Sequence, residues 1–529
     1  MGDHPTLCGL SLAALAFIVP TTLDLFTGKP VSGGQDEASY LLAADTFAEG
    51  RLANPTHRYW QHFETFHVIH QPTYVSKFPP MQGLFLAAGQ VFGGHPAVGI
   101  RLGTAFMCAA IFWMLFVWLP PRWALLGGVL ALGQFGLLGY WAHTYWGGAV
   151  AAGGGALALG STRRLVDAPS GRTGIVLGLG FGILANSRPF EGLILALFCL
   201  AVLARASRKG DPEYRRATLR RVVPPVAIVL STFAVAMGVY FWQTTGSPVK
   251  MPYQVYQETY SPYSLFQLSE PGPVPEYRHD VMRNLYIMWE SRPSPFKQPL
   301  TYAIDEAWKL AWLYAFYFGV LGILPILGLR RAWQNPWVRF AIVVVVSIMS
   351  LSLLTFAFPH YISPVTGLII FIVVEAIRGL SQIRWKWMDG IKLAALTLVL
   401  FAVGLAIRLE LHLRPLFPSG FKIQQAEVIR SLEDAPGEHL VFVRYLDGHI
   451  VHNEWVYNRA DIDASGIVWA RDMGPARNAE LVSYFGTRKV WLLESGRPEG
   501  QTLPFKQEVI RLEPYSVGAD SHNDKDQEH

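Results

Sequence analysis

Val222–Trp242 reads VVPPVAIVLSTFAVAMGVYFW, a run with no charged residue that directly follows a basic stretch, Arg205–Arg221. An uncharged run of this length crosses a hydrocarbon core of about 30 Å as a helix. Similar runs recur at Leu7–Leu23, Phe106–Leu119, Ala311–Leu329, Phe340–Phe358, Ile362–Ile377 and Ile391–Ile407. Only 16% of the 529 residues are charged and 51% are hydrophobic, whereas a soluble chain carries roughly a quarter charged residues. The sequence therefore describes a polytopic α-helical membrane protein. Its net charge of +5 sits between the apolar runs, where cytoplasmic loops carry Lys and Arg, and needs no nucleic-acid partner.

The basic clusters also set the topology. They fall at Arg122, at Arg163, Arg164 and Arg172, across Arg205–Arg221, at Arg330, Arg331 and Arg339, and across Arg378–Lys386. If all are cytoplasmic, an even number of crossings separates each neighbouring pair. Two spans fit each gap: 123–140 with 148–161, 174–186 with 190–204, 223–243 with 306–329, and 338–357 with 361–378. Asp3 and His4 stand where a signal peptide carries Lys or Arg, so the first apolar run reads as a retained span. Pro80–Gly93 is too short to cross and reads as a juxtamembrane or re-entrant helix on the outer side. The sum is about 11 transmembrane helices, with the N-terminus cytoplasmic and the C-terminus outside.

Residues 1–410 form the membrane domain under this reading, with outer loops at 24–95 and 244–305. Residues 411–518 change in composition. Val441–Arg444 and Val490–Leu493 read as short buried strands, Phe421–Leu432 and Ala476–Tyr484 as helices, together a small periplasmic α/β domain. Residues 519–529 are polar and read as a disordered tail. Cys8, Cys108 and Cys199 lie in apolar stretches as packing residues, with neither disulfide nor metal spacing.

Polar groups suited to chemistry gather in the outer segments. Asp36 and Glu37 follow the first span and open a helical pattern that continues through Tyr40. Acids in that position stabilise a helix N-terminus by themselves, and the same position holds a carboxylate in place for catalysis. Tyr74-Val75-Ser76-Lys77-Phe78-Pro79-Pro80 precedes the short apolar helix, and its paired prolines fix where Lys77 points. Lys77 either snorkels to the interface or binds a ligand. Arg188, in Asn186-Ser187-Arg188-Pro189-Phe190-Glu191, stands on the outer side against the charge bias; it suits a phosphate or pairs locally with Glu191. His360 and Tyr361 form an outer hinge with Pro359 and Pro364. Aromatic residues (Tyr59, Trp60, Phe63, Phe66, Tyr253, Tyr256, Tyr260, Tyr263) serve as interfacial anchors or stack on sugar rings. His57, His62, His67 and His70 lack clean metal-ligand spacing apart from Glu64 with His67.

Asp-Glu-x-x-Tyr after the first span, Lys-x-Pro-Pro before a short apolar helix and a late basic-aromatic-Pro hinge occur here in order and on one side of the membrane. Together they resemble the GT-C glycosyltransferases, over about residues 7–410, and within them the protein O-mannosyltransferases and the aminoarabinose or galacturonic acid lipid A transferases. The resemblance implies a polyprenyl-phosphate sugar donor, a lipid, glycan or protein hydroxyl acceptor, and residence in a bacterial inner membrane with a periplasmic active site. It maps the catalytic acid onto Asp36, with Glu37 assisting or orienting the loop. It places Lys77, Arg188, His360 and Tyr361 at the donor phosphate, Arg188 taking the place of a family lysine. We assign Tyr40, Tyr74, His143 and Tyr145 to the substrate groove. The second acidic motif of many relatives is missing: Tyr140–Gly148 contains no carboxylate, so no cofactor is assigned, and a divalent metal stays an alternative without clear ligand spacing. A secondary transporter would bury ionisable groups mid-span and repeat its halves, and a membrane scaffold for an envelope component would leave the long first loop without a role.

Overall fold

Prolines start most of the long helices: Pro5–Thr27, Pro96–Trp118, Pro189–Lys209, Pro299–Tyr317 and Pro336–Ser352 each carry Pro at the first helical position. The N–H that proline lacks is one the first turn leaves unpaired anyway, and its fixed φ is already helical. The computed structural model describes residues 4–32, 34–264, 266, 271–291, 298–355, 357–384, 389–413, 420–497 and 507–516. Among them, 6 helices are long and apolar enough to cross a membrane, or 7 if the bent pair Pro299–Tyr317 and Gly319–Ala332 is one span. Gly171–Ala185 and Pro336–Ser352 are shorter apolar helices. The chain is a multi-pass, mostly helical membrane protein.

Burial sorts these helices into a centre and a lipid-facing rim. The apolar window of Pro359–Ser381 is 94% buried, whereas that of Pro212–Thr245 is 6% buried. Gly148–Asp167 packs close to the centre because its glycines leave room. A Cβ on Gly155 would lie 1.9 Å from the Pro364 carbonyl oxygen, and one on Gly153 would lie 2.3 Å from Phe106. Small residues that let backbones approach are how helices associate in lipid. The helix expected at 148–161 runs on to Asp167.

The run 306–329 is broken: Pro299–Tyr317 and Gly319–Ala332 meet at 101°. Gly319 adopts φ +46°, open to glycine, and short 3-10 turns follow at Gly319–Gly322 and Pro325–Gly328. Periodic hydrophobicity persists across the bend, so the sequence reads as a single rod.

Outside the bundle, the first loop folds into the helix Gln35–Ala48, a small antiparallel sheet of Asn54–Pro55, Thr73–Ser76 and Val68–Ile69, and the helix Pro80–Gly93. The second loop contributes Pro252–Tyr260 and Asp280–Arg283. The C-terminal unit is a four-stranded sheet in the order Ile467–Arg471, His439–Tyr445, Lys489–Gly496, Val509–Pro514; the last strand is antiparallel to its neighbour and the others are parallel. Gly420–Glu433 and Pro475–Phe485 are its helices. Residues 519–529 lie outside the described residues.

This sheet is seated on the first loop. Leu42, Phe63, Val68 and Tyr74 share one core with Leu440, Phe442, Val468 and Leu481. Polar ties reinforce it: Arg471 donates to the Glu64 carbonyl at 2.9 Å, Tyr74 to the Asn458 carbonyl at 3.0 Å, and Gln35 to the Val451 carbonyl at 2.7 Å.

Candidate active site

Gly34, extended at φ −156°, caps the helix Gln35–Ala48, and Asp36 and Glu37 occupy its first turn. Neighbouring helical residues point about 100° apart, which divides the two acids. Asp36 faces Lys77 and Arg188, Tyr140 feels both acids, and Tyr145 feels buried Glu37.

The Asp36 carboxylate is held by a histidine. His67 Nε2 lies 3.1 Å from Asp36 Oδ1. His67 itself sits at φ +61°, a conformation uncommon outside glycine. Its backbone is fixed on both sides. The carbonyl accepts from Ser39 Oγ at 2.6 Å and Lys77 N at 3.2 Å, and the N–H donates to the Tyr256 hydroxyl at 2.8 Å. The same hydroxyl lies 3.2 Å from His67 Nδ1. With Nδ1 accepting from Tyr256, the proton sits on Nε2 and points at Asp36. Burial, then the nearby Lys77, keeps the imidazole neutral by pushing its pKa well below the usual histidine range. Burial pushes Asp36 above the ordinary carboxylate value, against the pull of Lys77 and Arg188.

Two buried cations flank this carboxylate. Lys77 Nζ stands 4.4 Å from the ring centre of Tyr256, 5.1 Å from Phe78 and 5.2 Å from Tyr253. Burial depresses its pKa, opposed by Asp36 and Glu290. The Arg188 guanidinium lies over Tyr361 at 4.5 Å. Met81 N donates to the Asn186 carbonyl at 3.0 Å, which ties the chain just after Lys77 to the turn that carries Arg188. Among the described residues neither cation has a carboxylate within ion-pair distance, so the aromatic faces are their main neighbours.

His360 is buried beside them, its ring 4.4 Å from Trp146 and 5.5 Å from Phe358, with Nδ1 lacking a hydrogen-bond partner. Tyr40 stacks on Phe78 at 4.5 Å. Tyr145 donates to the Pro30 carbonyl at 2.8 Å, and its own carbonyl accepts from Gln82 at 2.9 Å, so it braces the loop. Tyr74 points to the C-terminal sheet through Asn458. His143 lies apart: its ring is 4.2 Å from His412, and its Nε2 is 2.9 Å from the Leu137 carbonyl.

The structure thus brings together Asp36, Lys77, Arg188, Tyr361, His360 and Tyr40, and places Tyr74 and His143 elsewhere. His67, Tyr253 and Tyr256 join the group without having been assigned to it. In the sequence His67 stood out only for its spacing from Glu64, because its partner Asp36 is distant along the chain and the contact is made by the folding of the first loop. Among the described residues no group of three His, Cys, Asp or Glu side chains is placed to hold a metal ion.

No protein-family model matches the sequence, and no curated protein does either. Solved structures do. The oligosaccharyltransferase of Archaeoglobus fulgidus, crystallised with Zn and sulfate, superposes with a TM-score of 0.51 at 12% identity, covering 93% of this chain and 68% of that one. The fold is GT-C-like. ArnT from Cupriavidus metallidurans, bound to undecaprenyl phosphate, aligns over 97% of this chain and 98% of its own at 13% identity and a TM-score of 0.49. Arabinofuranosyltransferase AftD from Mycobacteria aligns at 12% identity with a TM-score of 0.41, over 97% of this chain and 40% of its own. The assignment rests on the first match, and at such identities a GT-C-like fold is what the likeness conveys.

Proposed function

We propose that the chain is an integral-membrane glycosyltransferase that moves a sugar from a polyprenyl-phosphate donor to a hydroxyl acceptor at the outer face of a bacterial inner membrane. It would cross that membrane eleven times, N-terminus inside and C-terminal unit outside. The observation that carries the reading is a carboxylate set between two buried cations that have no carboxylate partner among the described residues. Burying unpaired charge is costly, and a lipid-linked phosphate supplies the missing anion. The bound relative, ArnT with undecaprenyl phosphate, fits that donor class.

In this reading the Lys77 ammonium and the Arg188 guanidinium meet the donor phosphate and stabilise the charge that grows on it as the bond to the anomeric carbon breaks. Tyr361 holds the guanidinium plane from below. Asp36 takes the proton of the acceptor hydroxyl as that oxygen attacks the anomeric carbon. Burial raises the basicity of Asp36, which favours this transfer. His67, neutral and anchored by Tyr256, fixes one carboxylate oxygen and leaves the other free for the hydroxyl. A single displacement inverts the anomeric carbon. No step needs a metal.

The test is phosphate recognition. Undecaprenyl phosphate binding to purified chain, read by native mass spectrometry, should weaken at least about tenfold in Arg188→Gln, the value of one charge-assisted contact. Equal binding by the variant would remove Arg188 from the donor site.

A further inference from the structure

A cavity of about 590 Å3 opens between the two outer loops. Its wall includes Trp60, Glu64 and His70 from the first loop and Tyr256, Tyr260 and Arg278 from the second. Among the described residues, none from a membrane helix lines it. We infer that it is a saccharide subsite that holds sugar units of the acceptor remote from the reacting hydroxyl. This role rests on the transferase reading given above.

The lining suits a carbohydrate in three ways. Half-buried Trp60 offers a flat apolar face to the C–H side of a sugar ring, backed by the buried rings of Tyr256 and Tyr260. Glu64 is buried yet precisely placed: Tyr260 donates to Oε1 at 2.9 Å, and Arg278 Nη1 lies 3.5 Å from the same oxygen. Among the described residues, the nearest cationic group to Oε2 is His279 Nε2 at 3.7 Å, beyond hydrogen-bond length. His70 is 2% exposed, and its Nε2 has no partner. A buried polar nitrogen is normally paired, so a hydroxyl in this cavity satisfies both it and Glu64 Oε2. Arg278 lies over Trp60 at 4.7 Å and stiffens that face. The volume falls within the about 300–1,000 Å3 of small-ligand sites.

Position decides between donor and acceptor. A polyprenyl donor keeps its tail in the bilayer, while this cavity is walled by outer-loop residues alone. It still adjoins the Asp36 group through Tyr256, whose ring lines the cavity and faces Lys77, and whose hydroxyl holds His67. Binding energy from such remote units orients the reacting hydroxyl and contributes to turnover.

The experiment uses full-length chain in lipid nanodiscs and saturation-transfer NMR with gluco-, galacto-, manno- and N-acetylated trisaccharides. Wild type should show saturation of at least one. Trp60→Ala should bind it about five- to tenfold more weakly, the worth of one aromatic face. Glu64→Gln, which keeps the shape, should weaken it as well. Undecaprenyl phosphate binding is measured on the same samples and should be unchanged in Trp60→Ala, which also shows that this variant is folded. Phosphate binding without any saccharide signal would overturn the subsite and leave the donor reading intact. Saccharide binding of equal strength in wild type and Trp60→Ala would overturn it too. Saccharide binding lost in Trp60→Ala from a chain that never binds the phosphate would uphold the cavity and sink the donor reading instead.

Discussion

Asp45 fastens the C-terminal sheet to the outer loop, and its removal should loosen that contact far more than removal of its charged partner. Its two carboxylate oxygens accept from Gln90 Nε2 at 2.9 Å, Arg459 Nη2 at 3.0 Å, Arg459 Nε at 3.3 Å and Ala460 N at 2.9 Å. The Asp45 side chain is 10% exposed and that of Arg459 is 67% exposed. An exposed arginine contributes about 0.5–1 kcal/mol after screening. Asp45→Ala instead leaves the buried Ala460 N–H unpaired, at about 1–3 kcal/mol, and strips the Gln90 amide as well. The gain in helix propensity returns only a few tenths. We expect about 2–3 kcal/mol for Asp45→Ala, or exchange roughly 30 to 160 times faster in the peptide spanning 456–462. Hydrogen–deuterium exchange of the nanodisc-embedded chain reads this directly. The hydrogen bonds and Arg459 hold Asp45 below its ordinary pKa despite its burial. A depressed carboxylate stabilises above its unfolded value and loses that contribution as pH falls through the folded one, so the contact is complete at neutral pH. Arg459→Ala accelerating exchange as much as Asp45→Ala, or neither doing so, would refute the reasoning.

Other consequences are accessible to simple measurements. As a base, Asp36 acts when deprotonated, so kcat/KM should rise with pH through a value above the ordinary carboxylate pKa. Lys77→Met removes a charge that lowers this pKa, and the acid limb should move to higher pH; a limb that stays or moves down contradicts the electrostatic assignment. Gly99 lets two outer-side helices touch: a Cβ there would lie 2.3 Å from the Phe85 carbonyl oxygen, while Gly404 has nothing within 4 Å. Gly99→Ala should therefore cost about 1–3 kcal/mol, seen as a lower Tm, with Gly404→Ala close to neutral.

Much of this architecture was readable because lipid imposes a simple code. Uncharged runs and basic clusters located the helices, and the short Pro80–Gly93 segment appears as a helix with those bounds. The C-terminal helices and two strands were also visible from their patterns. Ile467–Arg471 and Val509–Pro514, the two edge strands of the sheet, were not. The break at Phe318 escaped notice because apolar composition does not report direction. At the site, Asp36, Lys77 and Arg188 were found through motif order and an arginine on the unexpected side. His67 was not singled out for it. Its approach to Asp36 depends on a left-handed turn and a tyrosine from the second loop, neither of which leaves a local signature. His143, assigned to the substrate groove, has its ring against His412 from the last helix of the bundle.

The central claim is that Asp36 removes the acceptor proton during sugar transfer. The most direct test is transfer from radiolabelled polyprenyl-phosphate sugars in membranes that contain either wild type or Asp36→Asn. The account predicts labelled product with wild type and at least about a hundredfold loss in the variant, with undecaprenyl phosphate binding retained. Full turnover by Asp36→Asn would contradict it.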